Sequence, residues 1–418
     1  MQIRWRTGPP QAARLLPLGK AGGSGEVYAI EGQPGFVAKV YHAAVRDAQR
    51  ADYANKIRWM IHHPPRLPPI PADYHGIVQL AWPVGVVTQD SAFAGFAMDK
   101  IDFERTLELD YLLTRRQAAA EGFEADFGKL VAICCNLAAL LDCLHARRIA
   151  VVDLKPMNLK VYKTELYVSI LDCDGFRIDA DDYVAEATQV TPEYLAPEFH
   201  GKAVAQPQAQ DSFALATIVF RLLNYGIHPY AGIAAGRQDQ PTELAARIQQ
   251  GLYPYARTPS PHVRPAPASV HECFPDEIRA LFDRAFGAPR AARASAAEWV
   301  AALRPFADPG AGRMARCAHG HLHFAGMACA SCRRAAILLG HVERQQRHAA
   351  RRRATPARAL TYMRKSLRGT HTSPFQAALA QAQLGTVQLA PVAASLRHVA
   401  SIEILWTIGL LITYWWLR

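Results

Sequence analysis

The stretch Val152-Asp153-Leu154-Lys155-Pro156-Met157-Asn158-Leu159 follows directly on residues 127–146, whose apolar side chains recur with helical spacing. Nineteen residues after Asp153 stands Asp172, within Ile170-Leu171-Asp172-Cys173-Asp174-Gly175. Either stretch could be incidental on its own. Their meaning depends on what stands before and after them in the chain.

A glycine-rich stretch lies upstream, Leu18-Gly19-Lys20-Ala21-Gly22-Gly23-Ser24-Gly25-Glu26-Val27-Tyr28. Without Cβ atoms, its backbone amides can close over a polyphosphate, although a plain glycine hairpin explains the same composition. Val37-Ala38-Lys39-Val40 comes one strand later, where a lysine on a buried strand can reach phosphates. Lys39 alone would equally fit a solvated strand residue.

Three further stretches follow in the second half: Ala196-Pro197-Glu198, Asp211-Ser212-Phe213-Ala214-Leu215 and Arg293-Ala294-Ser295-Ala296-Ala297-Glu298-Trp299. Seven stretches in a fixed order and at workable distances are not incidental. Together they resemble the protein kinase superfamily over about residues 14–305. These motifs, followed by a Cys/His cluster, are similar to those of one bacterial branch of the superfamily. Members of that branch are associated with stress-response and tellurite-resistance gene neighbourhoods.

The fold class expected is α+β, with two lobes and a cleft between them. Residues 14–100 form a small β-rich N-lobe, interrupted by one helix at Ala43–Ile61 that the Pro64-Pro65 pair ends. Residues 101–305 form a larger helical C-lobe. The predicted strands are Arg14–Leu18, Glu26–Ile30, Phe36–Tyr41, Ile77–Ala81 and Phe93–Met98.

The resemblance implies a role for each matching residue. Asp153 would be the catalytic base, Lys155 would neutralise charge on the transferred phosphoryl group, and Lys39 would hold phosphates of ATP. Asn158 and Asp172 would bind Mg²⁺ or Mn²⁺. The implied nucleotide contacts, besides Lys39, Asn158 and Asp172, are Leu18, Gly22, Gly25, Val27, Ala38 and Met98.

Three further residues have structural roles by the same resemblance. Glu198 and Arg293 would form a buried ion pair that supports the substrate-binding segment. Asp211 would hold the catalytic loop through its backbone amides.

The chain departs from the family pattern at several positions. Val151-Val152 replaces the usual His-Arg, so no arginine there can bind a phosphorylated activation loop, and activity would not need that phosphorylation. Cys173-Asp174 replaces Phe-Gly. The helix after Lys39 has no glutamate, so Asp52, or alternatively Asp47, is expected to pair with the lysine. Lys160 takes a usually apolar position under the adenine.

The function expected is ATP-dependent phosphorylation of Ser/Thr hydroxyls of proteins in bacterial signalling. A nucleotide-binding or scaffolding pseudokinase is the alternative, because of these departures. A small-molecule phosphotransferase is a weaker one, since Ala196-Pro197-Glu198 normally supports a peptide-binding surface in the family.

A Cys/His cluster, expected as a zinc knuckle at 314–335, follows the kinase-like region. Cys329 and Cys332 form a C-x2-C pair, whose thiolates can occupy adjacent corners of a tetrahedron. Cys317 and one histidine complete the set, with the spacing favouring His323 and leaving His321 as the alternative. So few apolar residues stand here that metal is expected to fold the segment, and free thiols in a loop are the competing interpretation.

The net charge of +11 is concentrated in the C-terminal part, where Arg333 to Arg368 contains ten Arg and one Lys against Glu343. Residues 336–398 are expected to be a basic segment of low structure, and the scarcity of aromatic rings disfavours nucleic acid as its partner. Residues 399–418 are apolar and are expected to form a helix that tethers the chain to a membrane or docks on protein. The uneven cysteine spacing and the lack of a signal-peptide core in the first 30 residues favour a reducing, cytoplasmic setting for the kinase-like region, which is expected at the inner face of the membrane if it is tethered.

Overall fold

The computed structural model describes residues 1–236, 240–287 and 293–367. The chain divides into two units, Met1–Gly340 and His341–Arg418. The first unit is a mixed α/β body, and the described part of the second is the continuation of one helix as far as Leu367.

A seven-stranded antiparallel sheet forms the N-terminal part of the body. In spatial order its strands are β2 (Gln11–Ala12), β1 (Gln2–Trp5), β6 (Pro83–Gln89), β7 (Ala92–Asp99), β5 (Phe36–Tyr41), β4 (Gly25–Ile30) and β3 (Leu15–Ala21). Helix α1 (Ala43–His62) packs on one face through fully buried Ile57 and Met60. The other face carries a small separate cluster that includes Ile3, Ala38 and Val87.

Four of the five predicted strands are present, with bounds shifted by a few residues. The strand predicted at Ile77–Ala81 is wrong: this extended stretch makes a single bridge, between Leu80 and Ile170, and the sheet strand begins at Pro83. The sheet also begins before residue 14, because β1 pairs with β6 and buries Ile3. Pro9 and Pro10 lie in the loop between β1 and β2, where missing amide donors cost no ladder bonds.

Helices build most of the remainder of the body. They are α2 (Arg115–Ala120), α3 (Phe127–His145), α4 (Pro207–Leu223), α5 (Leu244–Gln249), α6 (Asp276–Phe286) and α7 (Ala296–Ala307). The short strands are β8 (Thr106–Glu108), β9 (Ile149–Ala150), β10 (Leu159–Tyr162), β11 (Val168–Ile170), β12 (Arg177–Asp179), β13 (Val184–Ala185), β14 (Gly232–Ala234), β15 (Val263–Pro265), β16 (Met314–Arg316) and β17 (Leu322–Phe324). Among the described residues one helix, α3, is long and apolar enough to cross a membrane, but it is mostly buried and lies in the core.

Helix α8 (Ala330–Leu367) corrects the expectation of low structure at 336–398, as far as Leu367. Alanine, arginine, glutamine and leucine, which dominate its sequence, are strong helix formers. The rest of that basic segment and the predicted anchor at 399–418 lie outside the described residues.

Candidate functional site

The turn that carries Asp153 lies between β9 and β10 and is held from below by Asp211. The fully buried Asp211 carboxylate accepts hydrogen bonds from the backbone amides of Val151 (2.8 Å) and Val152 (2.7 Å). This confirms the expected contact. His145 Nε2 lies 3.0 Å from the same carboxylate, a partner that the sequence did not reveal. Val152 has a φ of 65°, a strained left-handed conformation that these bonds stabilise.

Both carboxylate oxygens of Asp153 are engaged. Lys155 Nζ donates to Oδ2 at 2.7 Å, and the Thr191 hydroxyl donates to Oδ1 at 2.6 Å. Lys155 also donates to Thr191 Oγ1 at 3.0 Å, which closes a triangle of carboxylate, ammonium and hydroxyl. Thr191 was not anticipated from the sequence, although it stands five residues before Ala196-Pro197-Glu198.

Asn158 and Asp172 lie beside this triangle. The Leu171 amide donates to the Asn158 carbonyl at 2.8 Å, which joins the two sequence stretches, and Asn158 Nδ2 donates to the Asp153 carbonyl at 3.2 Å. Lys39, Asp153, Lys155, Asn158 and Asp172 all line one cleft. The Asp172 side chain is 63% exposed, and carboxylate and amide oxygens are ligands that Mg²⁺ prefers.

Lys39 reaches the cleft from β5 and is almost fully buried. Its Nζ lies 2.9 and 3.0 Å from the oxygens of Asp174 and 3.2 Å from Asp172 Oδ1. Although burial opposes its charge, attraction from the two carboxylates raises the pKa of Lys39 above its ordinary value. The expected pairing with α1 is therefore wrong for Asp52, which is exposed, and the Asp47 side chain lies outside the described part.

The strand register decides which of the implied nucleotide contacts share the face of Lys39. Val27 pairs directly with Lys39, and Met98 pairs with Val37, so Val27 and Met98 lie on the Lys39 face. Ala38 does not: side chains alternate along a strand, and Ala38 is buried in the cluster on the opposite face. Val37 takes the position expected for Ala38.

The glycine-rich turn joins β3 to β4. A Cβ at Gly25 would lie 2.4 Å from the Val40 carbonyl oxygen, so the close approach of β5 requires glycine there. The Gly22 amide donates to the Gly25 carbonyl at 2.8 Å, which closes the turn. Leu18 stands at its entrance and is half exposed.

Lys160 forms an ion pair with Glu108, its cross-strand partner on β8, at 3.2 Å. Its Nζ also lies 4.8 Å from the centroid of the exposed Phe103 ring. The unusual cation is thus compensated by a carboxylate on the neighbouring strand.

The expected ion pair between Glu198 and Arg293 is confirmed. Arg293 donates to both carboxylate oxygens of Glu198, at 2.6 and 3.1 Å, and both side chains are buried. Such a two-pronged contact fixes orientation as well as charge. It ties the short turn Pro197–Phe199 to the residues just before α7.

A second group of potential ligands lies at the β16–β17 hairpin and the start of α8. Ligand atoms of Cys317, His321, Cys329 and Cys332 all lie within 4.8 Å of one another. The thiols of Cys317 and Cys332 are 3.7 Å apart, close to the ~3.8 Å edge of a tetrahedron with 2.3 Å zinc–sulfur bonds. These residues could therefore hold a metal ion.

His321, and not the favoured His323, joins the thiols. His321 stands opposite Cys317 across the hairpin, where the Cys317 amide donates to its carbonyl. His323 lies two residues further along β17, about 6.6 Å away along a strand, and its Nδ1 contacts the Phe324 carbonyl. His319 Nδ1 also approaches the Cys332 thiol, at 3.4 Å.

The thiols of this cluster differ in acidity. Desolvation opposes the thiolate of Cys317, but hydrogen bonds from the backbone of His319 and His321 outweigh it and lower the pKa to about 6. Desolvation and the neighbouring thiols raise the pKa of Cys332 to about 11. The lowered pKa of Cys317 favours its thiolate, which is the form of cysteine that binds metal.

The hairpin, which lies within the expected bounds 314–335, packs against the main core of the body. Phe324 is buried in the main core, with ring centroids 5.1 Å from Phe306 and 6.0 Å from Phe127. Tyr225 donates to the Ser331 hydroxyl between the two cysteines of the C-x2-C pair. The Cys/His cluster is therefore built onto the helical part of the body.

The chain that carries this lysine–aspartate cleft and this Cys/His cluster is similar in sequence to several known proteins. The chain is 28% identical to protein kinase YegI of Escherichia coli strain K12 over 298 residues, which are 68% of this chain and 43% of that protein. The protein of the same name from Escherichia coli O157:H7 matches to the same extent. A 126-residue stretch is 33% identical to serine/threonine-protein kinase H1 of Homo sapiens, covering 29% of this chain and 27% of that protein. No family model matches the chain.

These matches support the prediction from the sequence motifs that the chain is a protein kinase superfamily member of bacterial type. The matched region spans less than half the length of the Escherichia coli relatives. The resemblance to a stress-response and tellurite-resistance branch stays a prediction.

Proposed function

We propose that the chain is an ATP-dependent protein serine/threonine kinase with a two-lobed kinase fold and with Asp153 as its catalytic base. The relatives are named protein kinases, one of them a serine/threonine kinase, and protein substrates follow from those names. The observation that carries the proposal is the triangle at Asp153. There an aliphatic hydroxyl already donates to the carboxylate, with an ammonium group at hydrogen-bond distance from both.

Each residue then has a defined task. Asp153 accepts the proton of the substrate hydroxyl in place of that of Thr191, and Lys155 stabilises negative charge on the group in transfer. Lys39 holds phosphate oxygens of ATP from above. Asp172 and Asn158 would hold Mg²⁺ or Mn²⁺, which supplies charge neutralisation to the phosphates when bound.

The test replaces Asp153 with Asn. We expect turnover to fall about 100-fold or more, because a positioned general base contributes about 10²–10⁴-fold. ATP affinity should stay within about three-fold, since this carboxylate contacts the hydroxyl and not the nucleotide. Asp181→Asn is a matched control, because that carboxylate is 95% exposed and pairs with Arg148.

The assay follows transfer of radiolabelled phosphate from ATP to protein, with a Mg²⁺ titration and identification of the phosphorylated amino acid. Equal turnover of wild type and Asp153→Asn would refute the catalytic assignment. Wild-type protein that binds Mg²⁺-ATP but phosphorylates no protein would favour the scaffolding pseudokinase. Label on tyrosine alone would refute the Ser/Thr specificity.

We further propose a structural Zn²⁺ in the Cys/His cluster, supported by the donor set and by the distance between the Cys317 and Cys332 sulfur atoms, which fits a tetrahedral site. Elemental analysis of freshly purified, reduced protein should find about one equivalent. A metal-free, folded protein would refute this.

The proposed location is cytoplasmic, with residues 399–418 as a tether to the inner face of the membrane. The uncharged run Ile404–Leu417 and the arginine excess before it motivate this. Truncation after Arg397 should move the protein from the membrane fraction to the soluble one. Full-length protein that stays soluble without detergent would favour a docking helix instead.

A further inference from the structure

Two aspartates from one short turn, Asp172 and Asp174, face different surroundings. Asp172 has a left-handed φ of 53°, and the chain continues in a single 3-10 turn, Cys173–Gly175. The Asp172 side chain is 63% exposed to the cleft, whereas that of Asp174 is only 6% exposed. Cys173 between them is fully buried in the main core and anchors the turn. Both carboxylates thus line the cleft, Asp172 exposed to it and Asp174 buried in its wall against Lys39.

The buried carboxylate of Asp174 is occupied by protein donors. Lys39 Nζ lies 2.9 Å from its Oδ1 and 3.0 Å from its Oδ2, and the Tyr41 hydroxyl donates to Oδ2 at 2.8 Å. Lys39 and Tyr41 are themselves buried. Binding a metal ion in the cleft would require Asp174 to break these charge-assisted bonds inside the protein, which is costly. Asp174 is therefore a partner of the lysine, and three donor contacts compete with any metal ion for its oxygens.

Among its described side chains, helix α1 brings the positive charge of Lys56 towards this cluster. Lys56 is 4% exposed, donates to the Glu186 carbonyl at 3.2 Å and is close enough to Asp174 for their charges to interact. Among the described side chains of α1 no acid contacts Lys39, and Asp52 points to solvent. The only ion pairs of Lys39 in the described part of the chain are those with Asp172 and Asp174.

We propose that Asp174 is the positioning residue for Lys39 in phosphoryl transfer, a role that no carboxylate among the described side chains of α1 fills. The inference rests on the proposed function, since it concerns the same reaction. If Asp174 positions Lys39, one short turn determines the positions of both the Asp172 carboxylate and the Lys39 ammonium group. The described ion pairs that place Lys39 then come from Asp172 and Asp174 of this turn, and none comes from the described side chains of α1.

The test compares Asp174→Asn with Asp172→Asn. Asp174→Asn keeps the shape of the side chain and removes its charge, so the KM for ATP should rise about ten-fold or more, as expected for one lost charge-assisted bond. The Mg²⁺ concentration for half-maximal activity should stay within about two-fold, because no metal ligand is lost. Asp172→Asn should instead shift that Mg²⁺ dependence. Asp181→Asn, exposed and nearby in the chain, is the charge-matched control.

Tyr41→Phe tests the same contact without removing a charge. It deletes one donor to Asp174 and leaves both contacts of Lys39 with that carboxylate, so the KM for ATP should rise by a smaller factor, about three-fold. This variant decides the question if Asp174→Asn does not fold, and an unchanged KM would then overturn the proposal.

Calorimetric binding of Mg²⁺-ATP to each variant separates this inference from the proposed function. Wild-type protein that binds Mg²⁺-ATP without transferring phosphate refutes the kinase proposal alone, and weakened binding by Asp174→Asn still supports the role of Asp174. Folded Asp174→Asn with wild-type nucleotide affinity overturns the inference alone. A Mg²⁺ shift equal to that of Asp172→Asn overturns it as well, since Asp174 would then act as a metal ligand.

Discussion

Phe324→Ala should destabilise the whole body and not only the hairpin that carries it. Phe324 is 1% exposed, and its ring meets Phe306 at 5.1 Å, Phe127 at 6.0 Å and Phe274 at 6.4 Å, each nearly edge to face. These partners belong to α7, α3 and the approach to α6. Removing the ring leaves a cavity among all of them. Large-to-small changes of this kind cost about 3–5 kcal/mol.

The expected shift in melting temperature follows from the size of the unit. Residues Met1–Gly340 form one compact unit. At about 2.1 cal/mol/K per residue, its unfolding entropy is about 0.7 kcal/mol/K, so a loss of about 4 kcal/mol lowers the midpoint by about 6 °C. Scanning calorimetry and near-ultraviolet circular dichroism should both follow a single transition at this lower temperature.

Two controls separate packing from other effects. His323→Ala alters the neighbouring residue, which is half-buried and lies on the other face of β17, and should change the midpoint by about 1 °C or less while retaining the metal. Phe103→Ala removes a ring that is 64% exposed and should have a similarly small effect. If Phe324→Ala leaves the main transition at the wild-type temperature, the hairpin is an independent module and the packing argument is refuted.

Three further predictions follow from single residues. His321→Ala should lower bound zinc well below one equivalent by elemental analysis, because it removes a ligand close to all three thiols; full retention would refute its role. Burial lowers the pKa of Lys56 from 10.5 to about 8, with Asp174 opposing and Arg177 assisting the shift. Between these pH values Lys56 is protonated in the unfolded state but not in the folded one, so the free energy of unfolding rises with pH, by about 3 kcal/mol in total. Lys56→Met should abolish that rise in urea titrations. An unchanged dependence of the free energy of unfolding on pH would contradict this. Glu198→Gln should cost about 3–5 kcal/mol in the same assay, because it leaves a buried arginine without its charge partner, and a loss below about 1 kcal/mol would argue against this.

Sequence spacing predicted those parts of the site that depend on local order along the chain. Asp153 and Asn158 lie on one turn just before β10, and Asp172 lies just after β11, which pairs with β10, so their separations along the chain already imply proximity. The contact between Glu198 and Arg293 could be expected only through the resemblance, because 95 residues separate them.

The misses have physical causes that a linear pattern does not contain. The prediction that Ala38 shares the face of Lys39 was wrong because a shift of one residue along a strand moves a side chain to the other face. The prediction that Asp52 pairs with Lys39 was wrong because it took the partner from a helix. In the structure a left-handed turn brings Asp174 within reach of the lysine. His321 and His323 have similar spacing to the thiols, and only the position of the hairpin turn distinguishes them. A positive φ in a non-glycine residue leaves no reliable mark in a single sequence.

The segment 172–198 is held against α1 by groups that the unmodified chain already carries. The Trp59 ring stacks on Tyr183 with centroids 5.6 Å apart, and Lys56 donates to a backbone carbonyl of the segment at 3.2 Å. An aromatic stack and a bond to a carbonyl need no added negative charge. The sequence offers no arginine before the proposed catalytic aspartate to receive a phosphate, and the structure offers contacts that order the segment without one. Both observations support a proposed kinase activity that is independent of phosphorylation in this segment. Replacing Trp59 with alanine should therefore lower the rate of phosphate transfer, and treating the wild-type protein with a phosphatase should not.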